Sequence, residues 1–198
     1  VIKADTVINA SADGGINTGK NGGYGINVMN GAKLTINGGT YYGGGTAVQV
    51  QKGELIINGG SFAVEPYSNP TYGYKFLLNC IDAALKDGTA KITVKGGTFA
   101  NYDPSDSASE NPHGNFVAVG YQSVKNGNDY TVSPLFDGGS GTEADPFLIA
   151  GSEQFKAIDK LNGESYCFKQ TADIVVAEGD EVTKFSGVYD GDGHTLSS

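Results

Sequence analysis

A nine-residue stretch occurs three times in the first half of the chain, at residues 33–41, 54–62 and 91–99. Each copy has a short run of alternating apolar and polar residues, then two glycines, then Thr or Ser, then an aromatic residue. Alternation with a period of two predicts a strand with one buried face. A glycine pair predicts a tight corner, because glycine adopts backbone conformations that other residues avoid.

The spacing of the glycine pairs indicates how the copies are arranged. The pairs lie at residues 38–39, 59–60 and 96–97, so the first two are 21 residues apart and an insertion separates the last two. A period near 20 residues, made only of short strands, is the size of one coil of a parallel β-helix. Such coils bury a core only by stacking on one another. We therefore predict an all-β solenoid, with glycine corners that explain the 31 glycines.

A second predicted strand precedes each copy, at residues 25–29, 46–50 and 80–83. Each of these strands leads through a glycine turn into the repeated strand. Alternation predicts which side chains face the core. The inward positions are Ile26, Val28, Leu34, Ile36, Val48, Val50, Leu55, Ile57, Ile92 and Val94.

Equivalent positions of the copies should stack along the solenoid. Asn37 and Asn58 precede equivalent corners, where stacked amides can form a ladder that Lys95 interrupts in the third copy. The aromatic residues that end the copies should stack as core or corner packing. They are Tyr41, Phe62 and Phe99.

A fourth unit is predicted after the third copy, with a strand at 115–121 and a second run at 123–132. Asn126-Gly127 lies between alternating runs, which is a strong signal for a tight turn. This unit has no glycine pair, so it could close the stack.

Two insertions interrupt the coils, at residues 63–74 and 101–114, and we expect both as loops on the outside. Loops on a rigid scaffold often carry binding residues. Tyr67, Tyr72 and Tyr74 offer flat apolar faces with hydroxyl groups, which suit sugar rings or protein surfaces. The same tyrosines could instead pin the loop to the coil.

The second insertion is acidic and contains Asp103 and Asp106. These two carboxylates are candidate ligand-binding residues and could hold calcium, but a solvated loop explains them better. Asp190-Gly191-Asp192-Gly193-His194 fits a tight turn better than a metal loop, because the spacing of an EF-hand is missing. We predict no metal site and no cofactor.

Composition changes at Pro134, and residues 1–134 and 135–198 are predicted as separate domains. In the second segment, residues 137–142 read as a linker or turn and residues 145–149 as a strand. Apolar residues at helical spacing predict one helix over 152–162, with Ser152 as its N-cap. Further strands are predicted near 166–169, 172–176 and 185–189.

The formal net charge is −9, which argues against binding to nucleic acid or to an anionic membrane surface. No apolar run is long enough for a membrane-spanning helix. The chain begins at Val1, directly before a predicted strand, so we expect a processed or trimmed end. Cys80 and Cys167 are too few for a disulfide scaffold; either both are buried thiols or they form one bridge.

Catalytic groups are sparse. The chief outward carboxylates on predicted strands are Glu54 and Asp82, and they do not recur on neighbouring coils. Glycoside hydrolases need two carboxylates that face one another. The histidines, His113 and His194, show no triad pattern. We therefore predict no catalytic residue.

The repeated strand with Gly-Gly-Thr-aromatic resembles the right-handed β-helix stalks of secreted gut-bacterial and phage surface proteins. Residues 141–149 are similar to the opening of modules in bacterial adhesin-like surface proteins with GLUG-type repeats. Thr171-Ala172-Asp173-Ile174 and residues 185–195 continue that similarity. The resemblance implies a right-handed β-helix, an extracellular or cell-surface location, and a helix that caps the first coil of its module. It also implies further coils after the His-Thr strand, so the chain would be a fragment or would borrow a partner surface.

The predicted function is a non-catalytic extracellular adhesion protein, a rigid β-helix whose loops bind a host or microbial glycan or surface protein. One alternative is a polysaccharide-degrading enzyme of the lyase or hydrolase kind, or a fragment of one. The other is a purely structural stalk or fibre segment that associates end to end. No nucleic-acid partner and no membrane insertion are expected.

Overall fold

The fold was obtained as a computed structural model, which describes residues 1–19, 23–65, 76–107, 109–110 and 113–198. Strands dominate the described chain, and most of them pair in parallel. The predicted β class is therefore confirmed. No helix among the described residues is long and apolar enough to span a membrane.

The chain divides into two compact units. Unit 1 comprises residues 1–118 and 122–133, and unit 2 comprises residues 119–121 and 134–198. That the segments on either side of residue 134 are separate domains stays a prediction.

The structure describes thirteen strands in the first part of the chain. They are β1 (Thr6–Asn9), β2 (Gly15–Asn17), β3 (Tyr24–Val28), β4 (Ala32–Gly38), β5 (Thr40–Gly43), β6 (Thr46–Val50), β7 (Gly53–Ile57), β8 (Ser61–Val64), β9 (Leu78–Cys80), β10 (Ala90–Val94), β11 (Gly97–Ala100), β12 (Tyr121–Asn126) and β13 (Asp129–Pro134).

Successive strands of unit 1 join three sheets in turn. Sheet 1 has the order β1-β4-β7-β10, sheet 2 the order β2-β5-β8-β11-β13-β12, and sheet 3 the order β3-β6-β9. From β1 to β11, every third strand returns to the same sheet and pairs in parallel with the strand that entered it before. β13 then pairs antiparallel with β11.

The repeated strands align in the predicted register. Leu55 on β7 pairs with Leu34 on one side and with Ile92 on the other. Ile57 pairs in the same way with Ile36 and with Val94. All these side chains are buried, so the repeat forms a continuous apolar wall.

Two predicted stacks at the corners are confirmed. The Phe62 ring stacks on Tyr41 at 5.0 Å and on Phe99 at 5.2 Å between centroids. Asn58 Nδ2 donates to Asn37 Oδ1 (2.8 Å), and Asn37 Nδ2 donates to Asn9 Oδ1 (2.6 Å). The ladder is therefore one residue longer than predicted, because Asn9 on β1 belongs to it.

The second glycine of each pair has the backbone conformation that makes the corner. Gly39, Gly60 and Gly97 have φ values of 102°, 112° and 109°, a region that side chains with a Cβ rarely adopt. A Cβ on Gly60 would also lie 3.0 Å from the carbonyl oxygen of Gly39. The glycine pairs thus allow adjacent corners to approach closely.

Two strand predictions in unit 1 are wrong. The strand predicted at 80–83 ends at Cys80, and helix α1 (Asp82–Lys86) follows it. The sequence Asp-Ala-Ala-Leu-Lys favours this helix, with good helix formers, an acid in its first turn and a base in its last. The strand predicted at 115–121 is only an isolated bridge between Val117 and Val94.

The predicted turn at Asn126-Gly127 is confirmed. β12 ends at Asn126, β13 begins at Asp129, and the two strands are neighbours in sheet 2. A connection of two residues allows only antiparallel pairing. Gly127 has a φ of 63°, as tight hairpin turns require.

Unit 2 also contains parallel pairs, in one sheet ordered β14 (Phe147–Ile149), β15 (Ser165–Gln170), β17 (Ser186–Asp190) and another that pairs β16 (Ile174–Val175) with β18 (Leu196–Ser197). Its core is a cluster of buried aromatic and aliphatic side chains that includes Phe136, Phe147, Phe168, Ile149 and Ile158. The elements of unit 2 are β14 (Phe147–Ile149), α2 (Ser152–Ala157), a 3-10 helix (Ile158–Leu161), β15 (Ser165–Gln170), β16 (Ile174–Val175), β17 (Ser186–Asp190) and β18 (Leu196–Ser197).

The helix predicted over 152–162 begins at the predicted residue but is α-helical only to Ala157. Its N-cap is Gly151, not Ser152. The Ser152 hydroxyl instead accepts a hydrogen bond from Ala177 N (2.9 Å) and donates one to Asp180 (2.9 Å). Ser152 therefore stabilises a later loop instead of capping the helix. Its position before a helical pattern does not predict this contact.

The two cysteines are free, so the disulfide alternative is wrong. Cys80 is buried, as the thiol interpretation predicted, whereas Cys167 is only half-buried.

Candidate functional site

The predicted site residues fall into two groups. Tyr67, Tyr72 and Tyr74 lie outside the described residues. Asp103 is held within its own loop, where its Oδ1 accepts from Ser105 N (2.9 Å) and Ser105 Oγ (2.7 Å). Asp106 Oδ1 lies 3.1 Å from His113 Nδ1, and both side chains are exposed.

Metal ligation finds no support in the residues that the structure describes. Among them, no group of three or more His, Cys, Asp or Glu side chains could hold an ion. Of the outward carboxylates named above, Glu54 lies 3.5 Å from Lys33 and Asp82 begins α1. Asp82 is exposed and Glu54 is partly exposed.

The insertion at 101–114 is not simply an exposed loop, because five of its described residues are buried. Tyr102 Oη (3.2 Å) and Ser109 Oγ (3.4 Å) donate to the carbonyl oxygen of Leu78. Cys80 N donates to Glu110 Oε1 (3.0 Å). Since β9 is the last strand of sheet 3, these side chains satisfy an edge that would otherwise be open. The buried residues are Tyr102, Pro104, Ser107, Ser109 and Glu110.

A cleft of about 320 Å³ lies on sheet 3, at the lower end of the usual range for ligand pockets. Gln49 on β6 and Asn79 on β9 form its floor. Their neighbours along each strand face the core, so the two amides point outward by alternation. The lining residues are Tyr24, Gly45, Thr46, Gln49, Phe76, Asn79 and Ile81. We call this the sheet 3 cleft.

The two amides of the cleft floor belong to a row of amides that crosses the three strands of sheet 3. Asn27 pairs with Gln49, and Gln49 pairs with Asn79, so the three side chains lie in register. Asn79 Nδ2 donates to Gln49 Oε1 at 3.5 Å, a long bond that an entering polar group could replace. Gln49 and Asn79 are only 5% and 9% exposed, which fixes their positions.

The walls of the cleft are apolar. Tyr24 is 52% exposed and Ile81 is 40% exposed, so both present apolar surface to a ligand. Phe76 is half-buried beside them. An aromatic wall above fixed amide donors and acceptors suits a flat molecule with one apolar face and polar edges.

No charged side chain is among the described residues that line the cleft. General acid–base cleavage of a glycosidic bond needs a pair of carboxyl groups on either side of it. The chemistry that these lining groups support is therefore hydrogen bonding and stacking.

A second concave surface, of about 370 Å³, lies on the outward face of sheet 2. Thr40, Ser61 and Thr98 of the three repeats lie side by side in it. At one end Tyr42 Oη donates to Glu65, a bond that raises the pKa of Tyr42. At the other end Asp129 supplies a carboxylate. We call this the sheet 2 groove.

Comparison with family models, with curated proteins and with solved structures finds no match for this chain.

Sequence reasoning missed the sheet 3 cleft, although one signal was present. Gln49 lies at an outward position of a predicted strand, and Asn79 lies at an outward position of β9. Both side chains are amides. Their pairing depends on the register between β6 and β9. The insertion between these strands breaks the repeat, so the register cannot be predicted from the sequence. Tyr24 stands at the start of β3 and becomes a wall only because that strand pairs with β6.

Proposed function

We propose that this protein is an extracellular, non-catalytic β-helix that binds neutral glycans in the sheet 3 cleft. The observation that carries the proposal is the cleft itself, in which apolar walls stand above a fixed, uncharged amide floor. The extracellular location rests on the resemblance to bacterial and phage surface proteins.

The architecture proposed is a right-handed parallel β-helix. Three sheets entered in strict rotation, parallel pairing from β1 to β11, and equivalent side chains stacked at the corners all support it. Right-handedness rests on the resemblance and on the strong preference of parallel crossover connections for that hand. Such a scaffold would hold the cleft rigidly, which lowers the entropic cost of binding.

Neutral glycans fit the cleft better than other ligand classes. Sugar hydroxyls both donate and accept, as do the side-chain amides of Gln49 and Asn79. The C–H face of a sugar ring can stack on the apolar wall that Tyr24 forms. The net charge of −9 disfavours polyanionic glycans through long-range repulsion.

A glycan array probed with the wild type and with single variants tests the proposal. Tyr24→Ala removes an exposed wall residue, so the fold should survive while binding falls roughly tenfold or more, a loss of about 1.4 kcal/mol. Tyr42→Ala is the matched control, since it changes the same residue type in the sheet 2 groove. A triple variant of Tyr67, Tyr72 and Tyr74 to Ala tests the predicted binding loop separately.

The outcomes separate the candidate functions. Binding that depends on Tyr24 and not on Tyr42 supports glycan recognition in the sheet 3 cleft. No binding to any glycan, or wild-type binding by the Tyr24→Ala variant, would contradict it. Release of reducing or unsaturated sugar ends would indicate a polysaccharide-degrading enzyme instead.

A further inference from the structure

Strand β9 carries one half of the cleft floor, and contacts from Tyr102, Ser109 and Glu110 hold its outer edge. Asn79 lies between Leu78, whose carbonyl accepts from Tyr102 and Ser109, and Cys80, whose amide donates to Glu110. The same strand leads directly to Ile81, a wall of the cleft. A change in these buried contacts would therefore move residues that face the ligand.

Glu110 is the charged member of this buried network. Glu110 is only 2% exposed, and its Oε1 accepts a hydrogen bond from Cys80 N. Its Oε2 is buried and has no hydrogen-bond partner among the described residues. A neutral carboxyl group can remain in such a place at modest cost, whereas an unsolvated carboxylate oxygen is strongly unfavourable.

The groups that act on Glu110 do not neutralise a negative charge. The pKa of Glu110 is raised to about 7, with burial as the largest influence and the charge of Asp82 at the start of α1 acting in the same direction. The hydrogen bonds from Cys80 N and Ser109 act in the opposite direction but are weaker. Burial also keeps the neighbouring groups neutral, since it raises the pKa of Cys80 to about 12 and that of Tyr102 above its ordinary value.

We propose that Glu110 is a latch that positions β9, closed when the carboxyl group is protonated and opened by its ionisation. Ionisation strengthens the bond from Cys80 N but leaves the charge on Oε2 without a donor. Water must then enter or the side chain must leave, and either event loosens the 101–110 segment from Leu78 and Cys80. The effect on ligand affinity rests on the function proposed above, whereas the opening itself does not.

Cys80 reports the opening without any ligand. In a Cys167→Ser background it is the single thiol, and it is 2% exposed, so a thiol reagent reaches it only when the latch opens. Labelling rates between pH 5.5 and 8.5 are divided by those of the unfolded chain, which corrects for the thiolate fraction. The ratio gives the protection of Cys80 at each pH.

We expect protection to fall between pH 5.5 and about 7, approaching tenfold per pH unit, and to level off above pH 7, because only below the closed-state pKa does each opening release a proton from Glu110. Glu110→Gln keeps an acceptor for Cys80 N but cannot ionise, so its protection should stay constant. Circular dichroism verifies that this variant retains the β fold. The latch would be overturned if Cys80 protection changed with pH in the same way in both proteins, or if it stayed constant in the protein that retains Glu110.

A ligand arm separates the latch from the glycan proposal. The probe is the neutral oligosaccharide with the strongest array signal, titrated at pH 5.5 and 8.5. We expect its affinity to fall at pH 8.5 in the Glu110 protein and to stay constant after Glu110→Gln. Loss of Cys80 protection without glycan binding at either pH would overturn the glycan function and leave the latch standing. Affinity that is independent of pH despite that loss would show that β9 does not control the cleft.

Discussion

Units 1 and 2 both pair their strands in parallel, but they join successive layers by different interactions. In unit 1, like side chains stack on like, as in the ring column of Tyr41, Phe62 and Phe99. In unit 2, carboxylates reach across to the backbone of a later segment. Asp159 accepts from Thr183 N and from Lys184 N, both at 2.8 Å.

The difference follows from sequence repetition. Unit 1 repeats the same residues at the same corner, so identical side chains meet and stack. Unit 2 has no such repeat. Its segments are joined instead by hydrogen bonds to single aspartate side chains. Asp173 accepts from Thr195 N (2.8 Å), and Asp180 accepts from Ser152 and Lys156. Apolar stacking is insensitive to pH, whereas carboxylate contacts are lost on protonation.

Glu110 in unit 1 and Asp159 in unit 2 have pKa values that are shifted in opposite directions. The pKa of Glu110 in unit 1 is raised, so folding is favoured below the unfolded value near 4.5 and that advantage is lost as pH rises through about 7. The hydrogen bonds from Lys184 and Thr183 lower the pKa of Asp159 in unit 2. Its contribution is present above the unfolded pKa and is lost as pH falls towards the folded one.

The largest expected effect comes from breaking the ring column of unit 1. Phe62→Ala removes the central ring and leaves a cavity between two others, which should cost about 3–5 kcal/mol. Denaturant titrations in which Cys80 labelling follows unit 1 and Cys167 labelling follows unit 2 measure it. Only the Cys80 transition should move, and Phe168→Ala in the core of unit 2 should move the Cys167 transition. Equal shifts of both transitions in either variant would show that the units unfold as one.

Removing the buried acid should stabilise unit 1. Glu110→Gln is expected to raise its free energy of unfolding by roughly 1–3 kcal/mol at pH 8, where the folded protein otherwise bears an unfavourable charge. Below pH 5 the gain should disappear, because Glu110 is then protonated in the folded state. The Cys80 transition in urea, at both pH values, provides the comparison. A gain of equal size at both would mean that packing, not charge, is responsible.

Asp159→Asn should weaken unit 2 and leave unit 1 unchanged. The amide keeps one oxygen acceptor but loses the charge and the second acceptor that hold Thr183 and Lys184. We expect a lower melting temperature of unit 2 at pH 7, and a difference from the wild type that shrinks as pH falls and Asp159 becomes protonated. Asp145→Asn, an exposed acid of the same unit, is the control. A difference that does not change as the solution is acidified would exclude the electrostatic explanation.

The smallest effect concerns the amide ladder of unit 1. Asn37→Ala removes a hydrogen bond to Asn9 and one from Asn58, which should cost about 1 kcal/mol because these groups are exposed. Lys95→Asn offers the opposite change, since Lys95 follows the strand next to Asn58 and an amide there would extend the ladder. Urea titrations should place the two variants on either side of the wild type. Identical midpoints would mean that the ladder adds no stability.

Much of unit 1 could be predicted from the sequence because its signals are local and repeated. The repeat predicted the strands, the glycine corners, the ring column and the amides of Asn37 and Asn58. It failed at 80–83, where Cys-Ile-Asp-Ala alternates like a strand but helix formers follow. The buried state of Glu110 was hidden, since its loop is polar and its burial depends on contact with β9.

The sheet 3 cleft could not be predicted, because its parts are brought together by strand register. Tyr24, Gln49 and Asn79 are separated in sequence by an intervening coil and by the 63–74 insertion. Their residue types are ordinary on outward strand faces. Only pairing of β3 with β6 and of β6 with β9 places an aromatic wall beside two buried amides.

The side-chain amide signals of the chain test glycan binding in the cleft most directly. Nuclear magnetic resonance at pH 5.5, where the latch is closed, follows them while the array-selected neutral oligosaccharide is added. We expect saturable shifts of the Gln49 and Asn79 amides and none for Asn37 and Asn58, which serve as internal controls in the ladder. Shifts confined to the ladder, or no shift of Gln49 and Asn79 at saturating ligand, would contradict the assignment of the binding site.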